Sequence, residues 1–481
     1  MAQLTPVDAN FLHVEGGTTV AHIGGLGILD ASGCPGGRLR LEDLVGLIRE
    51  RAHLAKPLRQ KLAGVPLGLD LPYWMDDPDF DPALHVHEVA LPEPGDEAQL
   101  AEEVARLHET PLDRRRPLWE LYLVQGLQDG KTAIYAKVHH AAVDGVLAAE
   151  TLAALLDVAP DTTPTTPAPG PAETAPDRLT MLGNSLVRSL TYPVRSARSM
   201  ARTVPYLSDL PMVGQLPGMD RFSRAVMSIA RPDAGRLPAQ RRMSAPPTPF
   251  NRPISAHRRL AYGSLPLDEV KRVGKVLGGS VNDVIMALCA TALRRWLEDH
   301  HALPAEPLVA AVPVSLRQGG KEGERGNELS VMLAPLATEV ADPAERFAAV
   351  RDAMHTAKRR FVSHSGTWLR DMSGLLPAPI AGLTTRGLIR TTRPRPINLI
   401  ISNVPGPQFP LYIRGARVLA YYPVSVISDL TGGLNITVFS YDGRVDVGVI
   451  ACRDTVPDVW SVMSHLADAL DELSKLAAAA A

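Results

Sequence analysis

Apolar and polar positions along the chain alternate with two periods, about 2 and about 3.6 residues, which mark strands and helices. In the first third, His22 to Leu29 (HIGGLGIL), Leu84 to Leu91 (LHVHEVAL) and Glu120 to Val124 read as strands. Leu41 to Arg51 and Asp96 to His108 read as amphipathic helices between them. Gln128-Asp129-Gly130 is a hairpin turn, which pairs Glu120 to Val124 with Thr132 to Val138 (TAIYAKV), a buried strand. Val146 to Leu156 follows as an Ala- and Leu-rich helix. In the last part, Leu267 to Leu277 is a helix with Pro266 placed for its first turn. Gly278-Gly279-Ser280 breaks it, and a long helix runs from Val281 through Leu297. Leu308 to Val314, Leu329 to Leu336 and Ile397 to Ser402 are strands, and Ala344 to Phe361 is a helix. Leu434 to Tyr441 and Val445 to Ala451 form a hairpin around Asp442-Gly443, and Asp458 to Leu476 is a closing helix.

Between these parts the pattern changes. Residues 159–176 (APDTTPTTPAPGPAETAP) are a linker whose Pro/Thr/Ala composition prefers extended forms. From Arg178 to Arg259 there are 14 arginines, three aspartates, and neither Lys nor Glu. Leu179, Leu182, Leu186, Leu190 and Val194 recur there at roughly helical spacing, and Pro193 should end or kink such a helix. Two readings fit: a basic amphipathic helix on an anionic bilayer, or a solvated crossover packed on a domain. The expected organisation is an N-terminal domain over 1–158, a linker and Arg-rich crossover over 159–259, and a C-terminal domain over 260–481.

Composition narrows the function. With 481 residues, 45% hydrophobic and 21% charged, the chain reads as a soluble globular protein. A net charge of -2 and 5% aromatic residues argue against a nucleic-acid partner. Cys34, Cys289 and Cys452 are far apart and form no C-x-x-C, so a reducing compartment is expected, with no disulfide frame and no thiolate metal site. The first residues have no basic and apolar leader pattern, and no run approaches the ~18 apolar residues that would span a bilayer. A cytoplasmic protein is expected, with membrane or lipid-droplet contact only peripheral.

The candidate chemistry lies at Val138-His139-His140-Ala141-Ala142-Val143-Asp144-Gly145. The two histidines close the strand, and Asp144 stands where the next helix would take its N-cap. Alternation sends the histidines to opposite sides. His140 shares a side with Val138, Ala136 and Ile134 and is expected to face an apolar interior, whereas His139 shares a side with Lys137 and Tyr135. Burial disfavours a charged imidazole, so a histidine here is a candidate general base. No G-x-S-x-G elbow and no neighbouring cysteine support a covalent acyl-enzyme, and diverging strand neighbours make a poor zinc site. The alternative is two ordinary histidines beside an N-cap aspartate.

H-H-x-x-x-D-G resembles the signature of the acyltransferases that use pantetheine thioesters, among them chloramphenicol acetyltransferase, carnitine acyltransferases and peptide-synthetase condensation domains. Further stretches resemble one branch, the bacterial wax ester synthase/diacylglycerol acyltransferase family. They are Leu4 to Glu15 (LTPVDANFLHVE), Phe80-Asp81 with His85-Val86, Pro117-Leu118-Trp119-Glu120, Ser280-Val281-Asn282-Asp283, Val312-Pro313-Val314-Ser315-Leu316-Arg317, Ser402 to Pro407 (SNVPGP), and Gly433 to Tyr441 (GLNITVFSY). They lie in the family's order over nearly the whole chain. Cys452 departs from the pattern, since relatives more often carry an acid there. It reads as a buried strand-end residue.

The resemblance implies an α/β fold of two chloramphenicol-acetyltransferase-like domains, each a mixed sheet flanked by helices, with an active-site tunnel at their interface. It implies His140 as the base that deprotonates an alcohol, which attacks the thioester of acyl-CoA directly. His139 is expected to orient the loop or line the channel, and Gly145 to permit close packing behind it. Asp144 is expected to pair with Arg317, the alternative being a plain N-cap. Asn282 and Asp283 are either capping residues or, for Asn282, a hydrogen-bond donor at the site. The expected acceptors are diacylglycerol or a long-chain alcohol, with no metal and no cofactor beyond acyl-CoA as substrate. The competing expectations are transfer from a carrier protein, and a non-catalytic lipid-binding relative.

Overall fold

The computed structural model describes residues 2–143, 151–161, 172–203, 245–315, 329–363, 377–379, 381–382, 387 and 395–480. Helix α1 (Pro6–Val14) starts at Thr5, whose hydroxyl accepts the Asp8 N–H, with Pro6 in the first turn where no donor is needed. Strand β1 (His22–Asp30) follows, then α2 (Leu41–Arg51) and a small hairpin of β2 (Gln60–Ala63) and β3 (Tyr73–Asp76). Then come β4 (Val86–Ala90), α3 (Glu97–Glu109), β5 (Trp119–Gln125) and β6 (Thr132–His139). Asp96 caps α3 through a reciprocal bond with Gln99. Of the helix expected over Val146 to Leu156, residues 151–155 are helical and 146–150 lie outside the described residues.

Helix α4 (Arg178–Thr203) runs through Pro193 without a break. Of the two expectations for this proline, an end or a kink, the end is therefore corrected. The second half consists of β7 (Arg258–Pro266), α5 (Leu267–Val276), α6 (Val281–Asp299), β8 (Val309–Ser315), β9 (Leu329–Pro335), α7 (Pro343–Ser363), β10 (Leu399–Pro405), β11 (Tyr412–Ile413), β12 (Ala416–Val424), β13 (Leu434–Tyr441), β14 (Arg444–Cys452) and α8 (Val459–Ala480).

Two six-stranded mixed sheets result, ordered β11-β12-β1-β6-β5-β4 and β7-β14-β13-β10-β8-β9. The first contains two strands from the chain's last quarter, β12 pairing antiparallel with β1. A division of the sequence at 158 and 260 therefore does not divide the sheets. Helices α5 to α8 bury the apolar core of the second sheet, around Trp296, Leu293 and Val449. A shared core joins the sheets through Leu26, Tyr135 and Tyr422 on one side and Tyr262, Ile450 and Cys452 on the other. Where they touch, a Cβ on Gly448 would lie 1.8 Å from the Pro423 carbonyl oxygen, so only glycine fits. Buried Arg258 ties the halves further, its guanidinium donating to the Thr18 carbonyl at 2.6 Å and its N–H to Glu109 at 2.5 Å. Among the described residues no single helix is long and apolar enough to cross a membrane.

Candidate active site

Strand β6 delivers both histidines, held between β1 and β5. The His139 N–H donates to the Leu118 carbonyl at 2.9 Å and the His140 N–H to the Ala21 carbonyl at 2.8 Å. Leu118 and Trp119 are buried, and the Trp119 indole donates to the Leu58 carbonyl at 2.8 Å while stacking on His85. The P-L-W-E stretch is thus the wall against which the histidine strand is registered.

The two faces of β6 are not as expected. Tyr135, Lys137 and His139 are completely buried, whereas Ala136, Val138 and His140 are half-buried. Alternation holds, but the polar face is the deep one, because Lys137 and Tyr135 find hydrogen-bond partners there. Lys137 Nζ donates to the Leu107 and Thr110 carbonyls at 3.0 and 2.9 Å and lies 2.9 Å from Glu120. Tyr135 and His108 share a hydrogen bond of 2.5 Å, and His22 Nε2 meets the His108 carbonyl at 2.6 Å. Burial pushes the His108 imidazole down to about 3 and His22 well below its usual value, so both are neutral. This network staples the end of α3 to the sheet beneath the histidines. His140 does not face a closed apolar interior. It stands on the half-buried face, with the Phe11 ring stacked on its imidazole at 4.0 Å and 3°.

His139 is fixed by a residue the sequence reading did not single out. Its Nδ1 accepts the Ala141 N–H at 3.0 Å, which leaves the proton on Nε2, 3.3 Å from Glu15 Oε1. Glu15 also accepts the Ala21 N–H at 3.0 Å and the Arg114 guanidinium at 2.5 Å. Burial alone would raise the Glu15 carboxyl. The His139 ring, the Ala21 N–H and Arg114 outweigh burial and hold it at about 2. A carboxylate, a buried imidazole and the turn at Ala141 therefore set the backbone from which His140 projects. The signal for Glu15 in the sequence was only its place at the end of the Leu4 to Glu15 motif, 124 residues before His139.

Asp144, Gly145 and Arg317 lie outside the described residues, as does the Asp144–Arg317 pair. Asp283 is buried and completes a capping box at α6, where its carboxylate accepts the Ser280 hydroxyl and N–H at 2.7 and 2.8 Å. Asn282 Oδ1 accepts from Asn403 Nδ2 at 3.3 Å, which joins the N-D and N-V-P-G-P motifs. No contact among the described residues brings Asn282 or Asp283 against the histidines. All three cysteines are buried, and burial pushes the Cys289 thiol up to about 12, so it is not a nucleophile at neutral pH. Cys452 closes β14 and its sulfur accepts the Ser255 N–H at 3.3 Å. Among the described residues no group of three or more His, Cys, Asp and Glu side chains is placed to hold a metal ion. A separate polar cleft of about 320 Å³ is lined in part by Lys61, Asp77, Asp81, His85 and Arg116, and neither histidine lines it.

Two mixed sheets sharing a core, with a half-buried histidine on the central β6, make a fold that condensation domains also adopt. The first condensation domain of the calcium-dependent antibiotic synthetase shares this fold at 15% identity and a TM-score of 0.53, over 98% of this chain and 97% of that one. The wax ester synthase/diacylglycerol acyltransferase from Marinobacter aquaeolei VT8 superposes with a TM-score of 0.68 at 31% identity, over 99% of this chain and 100% of that chain. A Mycobacterium tuberculosis relative named "Putative diacylglycerol O-acyltransferase" is 36% identical over 478 residues, 98% of this chain and 90% of its own length. Residues 4–285 match the wax ester synthase/diacylglycerol acyltransferase catalytic domain, and residues 325–474 match the C-terminal domain of the same family. The chain belongs to the wax ester synthase/diacylglycerol acyltransferase family.

Proposed function

We propose that the protein transfers a long-chain fatty acyl group from acyl-CoA to the hydroxyl of diacylglycerol or of a long-chain alcohol, giving triacylglycerol or wax ester. The observation that carries the mechanism is the asymmetry of the two histidines. His139 is completely buried and tied to Glu15, while His140 is reachable and pressed flat by Phe11. His140 takes the hydroxyl proton as the alkoxide oxygen bonds to the thioester carbon. The tetrahedral oxyanion then collapses, the carbon–sulfur bond breaks, and His140 returns its proton to the departing CoA sulfur. No acyl-enzyme and no further cofactor are needed, and the burial of the Cys34, Cys289 and Cys452 thiols supports direct transfer. Asp144 and Arg317 act as the pair that fixes the loop, and Gly145 packs behind it. Asn282, hydrogen-bonded to Asn403, is the candidate donor from the second half of the chain. Both acceptors are lipids, so the reaction runs at a membrane or lipid-droplet surface.

The test is thiol release from palmitoyl-CoA by purified protein, with diolein and hexadecanol as separate acceptors. Release with either, matched by ester formation, is the expected result. No release with both acceptors refutes the proposal. Release only when an acylated carrier protein replaces acyl-CoA assigns the chain to condensation-type transfer.

A further inference from the structure

Helix α4 turns its apolar side away from the protein. Met181 and Ser185 are buried, Met181 packing with Val65 and Tyr73, and Arg188 lies 3.7 Å from Asp70. One helical face away, Leu179 is 80% exposed and Leu190 73%, with Leu186 and Val187 exposed between them. A surface helix ordinarily buries such a stripe. The turn that packs against α4, Pro66–Gly68, adds Leu67, which is 90% exposed, and Leu69 next to it. Leu179, Leu186 and Leu190 share one exposed side of the helix, and the neighbouring turn exposes Leu67 and Leu69. The helix has five arginines (178, 188, 195, 198 and 202) and no acidic residue.

Beyond Asp70, the residues that follow the turn join a small apolar cluster. Leu71 and Trp74 pack with Phe11 around Leu4, Leu12 and Ala141, and Phe11 is the ring stacked on His140. Apolar side chains therefore lead from the exposed turn to the candidate base.

We propose that the face built from α4 and the Pro66–Leu69 turn seats the protein on an anionic lipid surface, and that the acceptor reaches His140 from that surface along Leu71, Trp74 and Phe11. Leucines enter the headgroup boundary while the positive charge of the helix attracts lipid phosphates, a combination of apolar area and opposite charge that gives salt-sensitive peripheral binding. The path for the acceptor rests on the lipid-acceptor reading given above. The surface itself does not.

The experiment floats the full chain with vesicles of phosphatidylcholine alone or of phosphatidylcholine with phosphatidylglycerol, at low and high salt, with neither acyl-CoA nor acceptor added. The expected result is flotation with the anionic vesicles, weakened by salt, and lowered about tenfold or more by L67Q combined with L186Q and L190Q. Exposed positions tolerate the change, so an unchanged melting temperature verifies that the variant is folded. Since no turnover enters this readout, a failure of acyl transfer is seen separately in the thiol assay. Three results overturn the proposal: no flotation of the wild type, flotation indifferent to lipid charge, or a variant that floats like the wild type. A wild-type dimer that the variant lacks, with neither protein floating, makes the face a contact between two copies and overturns it as well.

Discussion

Glu15→Gln tests the support of the histidine loop. The substitution keeps the shape and the acceptor for the Ala21 N–H, but removes the charge that faces His139 Nε2 at 3.3 Å and Arg114 at 2.5 Å. A carboxyl held at about 2 instead of its ordinary 4.5 corresponds to roughly 3 kcal/mol of stability at neutral pH. Partial contact with water brings this to about 2 kcal/mol, in line with roughly 1.5–3 kcal/mol for one charge-assisted hydrogen bond. The sign follows from the lowered value. The contribution is fully present above the unfolded-state value of 4.5 and is lost as the pH falls toward about 2. Urea denaturation at pH 7 should therefore find the variant about 2 kcal/mol less stable, with the gap closing as the pH is lowered from about 5 to 3. Turnover should fall about 10- to 100-fold as His139 loses its anchor. A variant of wild-type stability at pH 7, or a difference that stays constant from pH 7 to 3, refutes this account of Glu15.

Other consequences can be measured on single variants. Phe11→Ala removes the ring stacked on His140 at 4.0 Å; a pair of this kind is worth about 1 kcal/mol, so the thiol-release rate should fall about fivefold to tenfold, and an unchanged rate would show that the stack does not position the base. Gly448→Ala places a Cβ 1.8 Å from the Pro423 carbonyl oxygen, and should cost about 3 kcal/mol or more in thermal or urea unfolding because backbone must move; wild-type stability would mean that the sheet contact yields freely.

Much of the fold follows from periodicity alone. The strands at 22–30, 119–125 and 132–139 and the hairpin at 434–452 lie where alternation and the Asp-Gly turns put them. Helix α2 has the bounds its pattern predicts. Helix α1 went unread although Thr5, Pro6 and Asp8 form a start signal, because it is short and mixes polar with apolar residues. Strand β12 alternates well, yet nothing local says that it crosses to the other half of the chain to pair with β1. That pairing depends on contacts nearly 400 residues apart. The histidine faces were misjudged for a related reason. Polarity was read as exposure, whereas Lys137 and Tyr135 are buried because α3 supplies carbonyls and His108 beneath them. Glu15 likewise gains its meaning only from the fold, through the register that sets β1 beside β6.

The central claim is that His140, not His139, moves the proton. The direct measurement is the rate of thiol release from palmitoyl-CoA with the better acceptor, for His140→Ala beside the wild type, with melting temperatures recorded for both. The expected result is a rate at least about 100-fold lower at an unchanged melting temperature, since the half-buried His140 side chain is not part of the packed core. A folded His140→Ala variant that releases thiol and forms ester at the wild-type rate would contradict the account.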